Sequence, residues 1–254
     1  YGDSFYEYLL KLYIMTDGKC KSCGTHYQRC IQGMKDFLLR NTTEYVYIGT
    51  VNNQKADDSL THLSYFVPGM IALGSQFFNE SDLKFAEELA DTAAKWHFST
   101  KTGLSPEGFS LESGSFVIKD KSYKLRPEFI ESCFYLYRLT GNNKWREIGW
   151  KIYSSIIKYC KVENGFAELL DVNIGDTHED VQDSYFLAET FKYTYLLFSD
   201  SNTVPLDKYV FTTEGHILEH FDKKWIEDNY NESDWFNQLS ENEGAYIPTK
   251  KIDN

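Results

Sequence analysis

The chain has 254 residues, enough for one large core or two small ones, a formal net charge of −12, and aromatic residues at 17%. That acidity argues against nucleic acid or an anionic membrane surface as partner and suits solubility or a cation. No stretch approaches the ~18 uninterrupted apolar residues of a membrane span.

The chain opens on Tyr1 with no initiator Met and no signal-like start, so a longer front end is expected. From Asp3 to Met15 the residues Phe5, Tyr6, Tyr8, Leu9, Leu10, Leu12, Tyr13 and Ile14 cover nearly the whole circumference of a helix, the pattern of one buried on most sides. Cys20-Lys21-Ser22-Cys23 follows, with His26 and Cys30 close behind. A zinc knot or a redox pair would read this way. With no second pair and no βαβ setting, a local loop disulfide in an oxidising lumen is favoured. Cys133 and Cys160 fall in helix interiors as buried small residues, and the odd count of 5 leaves at least one thiol free or paired elsewhere. Sequons at Asn41, Asn79 and Asn231 give mild support to a secretory compartment.

Tyr27 to Arg40 spaces Cys30, Ile31, Met34, Phe37 and Leu38 on one side of a helix, with Arg29, Gln32, Lys35 and Asp36 opposite. Leu60 to Phe78 is apolar almost throughout, broken by Pro68-Gly69, whereas Asp82 to Phe98 is one-sided through Ala86, Leu89, Ala90, Ala93 and Trp96. Pro127 opens the next helix, since its missing N–H is one that a helix start cannot satisfy anyway. Lys144 to Cys160 is amphipathic and Val181 to Phe198 apolar once more. Seven helices thus alternate between buried and half-exposed, as a two-layer ring of helix hairpins requires. A solenoid would show a fixed period of about 34–45 residues, and these spacings are irregular. Tyr209 to Thr213 reads as a strand ending in the polar tip Glu214-Gly215-His216. The acidic tail from Glu219 to Asn254, with Trp225 and Trp235, has little pattern.

Glu128 and Glu131 sit one turn apart at the start of the helix opened by Pro127. There the unpaired N–H groups and the helix dipole favour negative charge, so both are expected to stay ionised. Asp3-Ser4-Phe5-Tyr6, Glu131-Ser132-Cys133-Phe134 and Asp183-Ser184-Tyr185-Phe186 each put an acid, a serine and aromatics near the start of an inner helix. As caps these residues need no function. Gathered at one mouth of a ring, however, three acids are costly unless a cation or a polyhydroxyl ligand neutralises or solvates them.

Six ordered motifs resemble glycoside hydrolase family 47, the class I α-1,2-mannosidases that trim high-mannose N-glycans. They are Asp3-Ser-Phe-Tyr-Glu-Tyr-Leu-Leu-Lys11, His62-Leu-Ser-Tyr-Phe-Val-Pro-Gly-Met70, Gly103-Leu-Ser-Pro-Glu107, Leu125-Arg-Pro-Glu-Phe-Ile-Glu-Ser132, Ser184-Tyr-Phe-Leu-Ala-Glu-Thr-Phe-Lys-Tyr193 and Val210-Phe-Thr-Thr-Glu-Gly-His216. The resemblance implies an all-α (αα)7 barrel plugged by a small β-hairpin, with residues 1–217 as its C-terminal half and 218–254 as an acidic tail. It implies a calcium ion bound by the carbonyl and hydroxyl oxygens of Thr213, with Glu128, Glu131, Asp183 and Glu214 orienting waters around it. It implies inversion, with Glu128 as the preferred base and Asp3 at a second catalytic position. Arg126, His62 and Phe186 match substrate-pocket positions, Phe186 as a stacking face and Arg126 as a hydrogen-bonding fork; Glu131, Asp183 and Glu214 also face substrate.

Departures accompany the match. The family's proton-donating glutamate belongs to the half upstream of Tyr1, so this chain alone is expected to be inactive and to need that half as partner. Asp183 stands where Glu is usual, Thr212 replaces Asn, and Tyr65 and approximately Ala93 occupy the places of a family disulfide. A secretory-pathway lumen (ER or Golgi) or the exterior is the expected location. The alternative is an inactive glycan-binding or quality-control protein.

Overall fold

The computed structural model describes residues 3–53 and 55–233. Its helices are α1 (Asp3–Met15), α2 (Lys21–Gly33), α3 (Val67–Ser75), α4 (Ser81–His97), α5 (Glu128–Thr140), α6 (Asn143–Tyr159), α7 (Lys192–Phe198) and α8 (Lys223–Asn229). A π turn, Met34–Leu38, extends α2; a 3-10 turn, His62–Phe66, leads into α3; and a second π turn, Phe186–Phe191, leads into α7.

The alternation seen in the sequence is an alternation of layers. α1 packs on α2 and α3, α3 on α4 and α5, and α5 on α6 and α7. Thus α1, α3, α5 and α7 form an inner row and α2, α4 and α6 an outer one. α3 is buried from Pro68 to Ser75 and α5 from Glu128 to Leu136, while α4 and α6 bury one stripe each. The end helices leave Phe5, Tyr8 and Tyr195 exposed. The two rows therefore form an arc with two open ends, rather than the closed ring expected from helix alternation alone.

Local chemistry sets the joints. Gly141 ends α5 in the left-handed region (φ +67°), its N–H bonded to the Tyr137 carbonyl at 2.8 Å. Asn142 at once caps α6 by accepting from Lys144 N–H at 3.0 Å. Where α3 crosses α5, a Cβ on Gly69 would lie 3.0 Å from Ser132 Cα. Gly69 N–H donates to Ser132 Oγ (3.0 Å), and that hydroxyl donates to the Tyr65 carbonyl (2.6 Å). A glycine in one motif and a serine in another thus let two inner helices touch.

The expected strand pairs with a second one: Tyr209–Phe211 and Ile217–Glu219 form an antiparallel hairpin in which Phe211 opposes Ile217. Phe211 packs edge-on to Phe134 of α5 and against Tyr193 of α7, so the hairpin is rooted in the core. A three-stranded sheet (Ser59–Thr61, Gly108–Glu112, Ser115–Asp120) carries His62 at its edge, and four further short antiparallel pairs fill the connections.

Three local expectations change. Cys20 and Cys23 do form a disulfide, but at a helix start, with Cys20 as N-cap of α2, instead of in a loop. Leu60 belongs to a strand, and the last apolar helix begins at the Phe186 turn, not at Val181. Part of the tail is ordered on the arc: Phe221 N–H donates to the Met15 carbonyl (3.2 Å), α8 buries Ile226, and Glu232 Oε1 accepts from Ser22 N–H at 2.6 Å. Trp235 lies outside the described residues. Among the described residues no helix is long and apolar enough to cross a membrane.

Candidate active site

The first turn of α5 brings two carboxylates to the inner row. The chain enters it through Leu125, buried and held at φ +57°, a conformation uncommon for a non-glycine residue. Thr190 Oγ1 fixes that strained residue by donating to its carbonyl at 2.7 Å.

Glu128 Oε2 lies 2.7 Å from His62 Nδ1, and both side chains are buried. A carboxylate can only accept, so this contact with an ionised Glu128 requires a proton on His62 Nδ1. His62 is held in turn by its backbone N–H, which donates to the Glu107 carbonyl at 3.0 Å.

Arg126 donates through Nε (2.9 Å) and Nη2 (2.8 Å) to the two oxygens of Glu107, a bidentate pair that raises its pKa although burial opposes this. Its guanidinium lies over the ring of Tyr185 at 5.4 Å, and Tyr185 Oη donates to the Lys124 carbonyl at 2.6 Å. The fork that the resemblance implies is therefore partly engaged inside the protein, by the last residue of the Gly103–Glu107 motif.

Glu131 corrects the expectation that both acids stay ionised. It is 4% exposed, its Oε1 has no hydrogen-bond partner, and burial pushes its carboxyl well above the usual range; Lys11 opposes this and Glu7 adds to it. The helix dipole offers ~0.3–1 kcal/mol, which removal from water outweighs. Lys11 and Glu7, one turn apart on α1 and equally buried, form an ion pair beside it.

Phe186 is fully buried between Phe166 and Phe191, with ring centroids at 4.9 and 4.4 Å, so it presents no stacking face to a sugar. The half-buried ring under Arg126 belongs to its neighbour Tyr185. Asp183 is exposed in the loop before the π turn, beside Tyr185 and Glu168, and does not join the acids of α5. The acid that does is Glu189, inside the π turn and 6% exposed. Burial, then the charges of Glu128 and Glu214, push its carboxyl up to about 8, with Lys192 opposing. Wide turns of this kind occur often at functional sites.

The hairpin tip faces this group. Thr213 N–H donates to Tyr8 Oη at 3.2 Å, Thr213 Oγ1 lies 3.5 Å from Ser4 Oγ, and Lys192 Nζ donates to the Gly215 carbonyl at 2.7 Å. Glu214 is exposed beside it. α1 starts at Asp3, whose side chain lies outside the described residues. The structure thus gathers Glu128, Glu131 and His62 with Glu189 and Glu7, brings Glu214 and Thr213 over them on the hairpin, braces Arg126 at one side, and leaves Asp183 and Phe186 apart.

The donor set is all hard oxygen: the Thr213 carbonyl and hydroxyl plus carboxylates, one with an orphaned buried oxygen. That chemistry fits a calcium-type ion. Among the described residues no three His, Cys, Asp or Glu side chains are arranged to ligate a metal directly, so an ion here would rest on Thr213 and on water held by the acids.

The profile of Glycosyl hydrolase family 47 matches residues 1–220. The mannosyl-oligosaccharide 1,2-alpha-mannosidase of Candida albicans is 37% identical, the match covering 99% of this chain and 50% of that protein. Human mannosyl-oligosaccharide 1,2-alpha-mannosidase IB is 38% identical over 85% of this chain and 35% of its own length. The solved alpha-1,2-mannosidase from Trichoderma reesei superposes with a TM-score of 0.82 at 27% identity, covering 86% of this chain and 51% of its own. The chain spans about half the length of these proteins, or less. With the profile covering most of its residues and relatives this similar along most of its length, the chain belongs to glycosyl hydrolase family 47.

Proposed function

We propose that the chain is the C-terminal part of a calcium-dependent, inverting exo-α-1,2-mannosidase that trims high-mannose N-glycans in the secretory-pathway lumen or outside the cell. The observation that carries this reading is the buried contact of Glu128 Oε2 with His62 Nδ1, 2.7 Å long, at the edge of an acid group topped by the Thr213 hairpin. An oriented carboxylate of this kind suits a general base, a role worth about 10²–10⁴ in rate.

In this reading Glu128 takes the proton of a water attacking from the face opposite the leaving oxygen. His62 fixes the carboxylate by donating to one oxygen, leaving the other to meet the water. Arg126, braced by Glu107 and Tyr185, presents its remaining N–H groups to sugar hydroxyls. Tyr185 takes over the stacking role expected of Phe186, and Glu189 replaces Asp183 among the acids that order water round an ion on Thr213, with Glu128, Glu131 and Glu214. Calcium, when bound, would anchor sugar hydroxyls through oxygen coordination. Asp3 remains a second catalytic candidate.

The open ends of the arc support a partner that completes an (αα)7 ring. α7 and α6 leave a cleft of about 570 Å³ lined by Trp150, Tyr153, Phe191, Tyr195 and Phe198, and α1 exposes Phe5 and Tyr8. The share of its relatives' length that the chain spans agrees with an upstream half as that partner. The test is mannose release from a high-mannose glycan by this chain alone, by the chain joined to an upstream half, and by the joined protein after chelation. Release only from the joined, calcium-loaded form is expected. Release by the isolated chain would refute the division of labour, and glycan binding without release in the joined form would assign a receptor instead of an enzyme.

A further inference from the structure

We propose that Lys192 and Tyr8 are positioning residues that clamp the Thr213 tip from the two ends of the inner row and so set its affinity for calcium. The proposal rests on the calcium reading above and adds to it how the tip is held.

The tip has little intrinsic rigidity. Thr212 N–H bonds the His216 carbonyl at 2.8 Å and Gly215 N–H bonds the Thr212 carbonyl at 2.9 Å, and the flanking strands are three residues each. A two-stranded ribbon of this length is marginal in water. What fixes it lies outside the hairpin. Gly215, at φ +69°, is pressed so close to the π turn that a Cβ would sit 2.9 Å from Glu189 Cγ and 3.0 Å from the Ala188 carbonyl oxygen. Lys192, one residue beyond that turn, reaches the Gly215 carbonyl with Nζ at 2.7 Å. From the other end of the row, Tyr8 Oη accepts from Thr213 N–H at 3.2 Å. One clamp therefore holds the peptide after Gly215 and the other the peptide before Thr213, which leaves the Thr213 carbonyl and hydroxyl to be aimed by both.

The charge on Lys192 makes the inference decidable. An ammonium beside a cation site repels the cation, so a lysine acting only through its field would weaken calcium binding and its removal would tighten it. A lysine acting as a clamp does the opposite: without it the threonine oxygens lose their aim. Groups that orient metal ligands typically cost 10–100-fold in affinity when removed.

The measurement is calcium affinity of the full-length protein by titration calorimetry, with calcium as the probe, for the wild type, Lys192→Met, Lys192→Arg and Tyr8→Phe. Thermal midpoints in EDTA report folding independently. Lys192→Met is expected to weaken binding by at least ~10-fold, Lys192→Arg to recover most of it, and Tyr8→Phe, which deletes one hydroxyl from an exposed ring, to weaken it several-fold at an unchanged midpoint. If Lys192→Met fails to fold, Tyr8→Phe decides. Binding by Lys192→Met or Tyr8→Phe as tight as wild type, or tighter, overturns the clamp alone; a wild type that binds no calcium overturns the calcium reading and the clamp with it.

Discussion

Glu128 and His62 meet through a single hydrogen bond, Nδ1 to Oε2, inside the protein, although 66 positions separate them in sequence. The imidazole sits in a 3-10 turn at the edge of the three-stranded sheet and the carboxylate on a helix start, so two rigid elements fix their distance. His62→Phe should lower kcat of the full-length enzyme by about 10²-fold, with KM changing far less, because the base loses its orientation while the sugar contacts stay. Steady-state mannose release at saturating glycan checks this; an unchanged kcat would leave Glu128 without the role given it.

Arg126 and Glu107 give the complementary outcome. Glu107→Gln removes the anionic partner of a bidentate pair and frees the guanidinium to tilt off Tyr185. We expect a rise in KM with a smaller effect on kcat, since the change touches sugar contacts and not the base. Glycan titration of the variant, compared with His62→Phe, separates the two.

Stability should depend on pH through two buried groups of opposite sign. The Glu189 carboxyl is raised from 4.5 to about 8, so the folded state holds a proton that the unfolded chain has lost. Stability therefore falls as pH rises from 4.5 to 8, by up to about 1.4 kcal/mol per unit inside that window. His97 is lowered from 6.5 to about 3, first by burial and then by His62, so stability falls as pH drops from 6.5 towards 3. Denaturant unfolding in EDTA from pH 3 to pH 9 should show Glu189→Gln flattening the upper slope and His97→Gln the lower one.

Gly69→Ala should destabilise the protein by about 1–3 kcal/mol, the usual cost of overpacking. Its new methyl would press on the Ser132 backbone of α5, which cannot swing aside as a long side chain could. Thermal unfolding checks this, with Gly33→Ala as the control, since a Cβ there meets nothing within 4 Å.

What the sequence revealed was what local chemistry decides. Pro127 marked the start of α5 because a missing N–H costs nothing there, and the alternation of one-sided and all-round apolar stretches distinguished outer helices from inner ones. Glu128, Arg126, His62 and Thr213 stood out because whole motifs surround them. The misplaced residues depend on distances along neither strand nor helix. Choosing Tyr185 over Phe186, or Glu189 over Asp183, needs the rotation of a helix by about 100° per residue and the extra residue of a π turn, and neither leaves a periodic trace. The charge state of Glu131 was out of reach for a different reason: the dipole that favours ionisation is a property of its own helix, whereas the burial that overrides it comes from α1 and α7. The same holds for Glu107, whose part became visible only when the sheet brought it to Arg126.

The hairpin that carries Thr213 touches Tyr8 across 205 positions of chain. Contacts of such sequence separation form late, after the loops between them have closed. During synthesis the inner helices can pack as they emerge, but the hairpin reaches Tyr8 only once residues 209–219 have been made. A product ending before Tyr209 would carry the acids of α5 without the hairpin that roots on Phe134 and Tyr193 beside them.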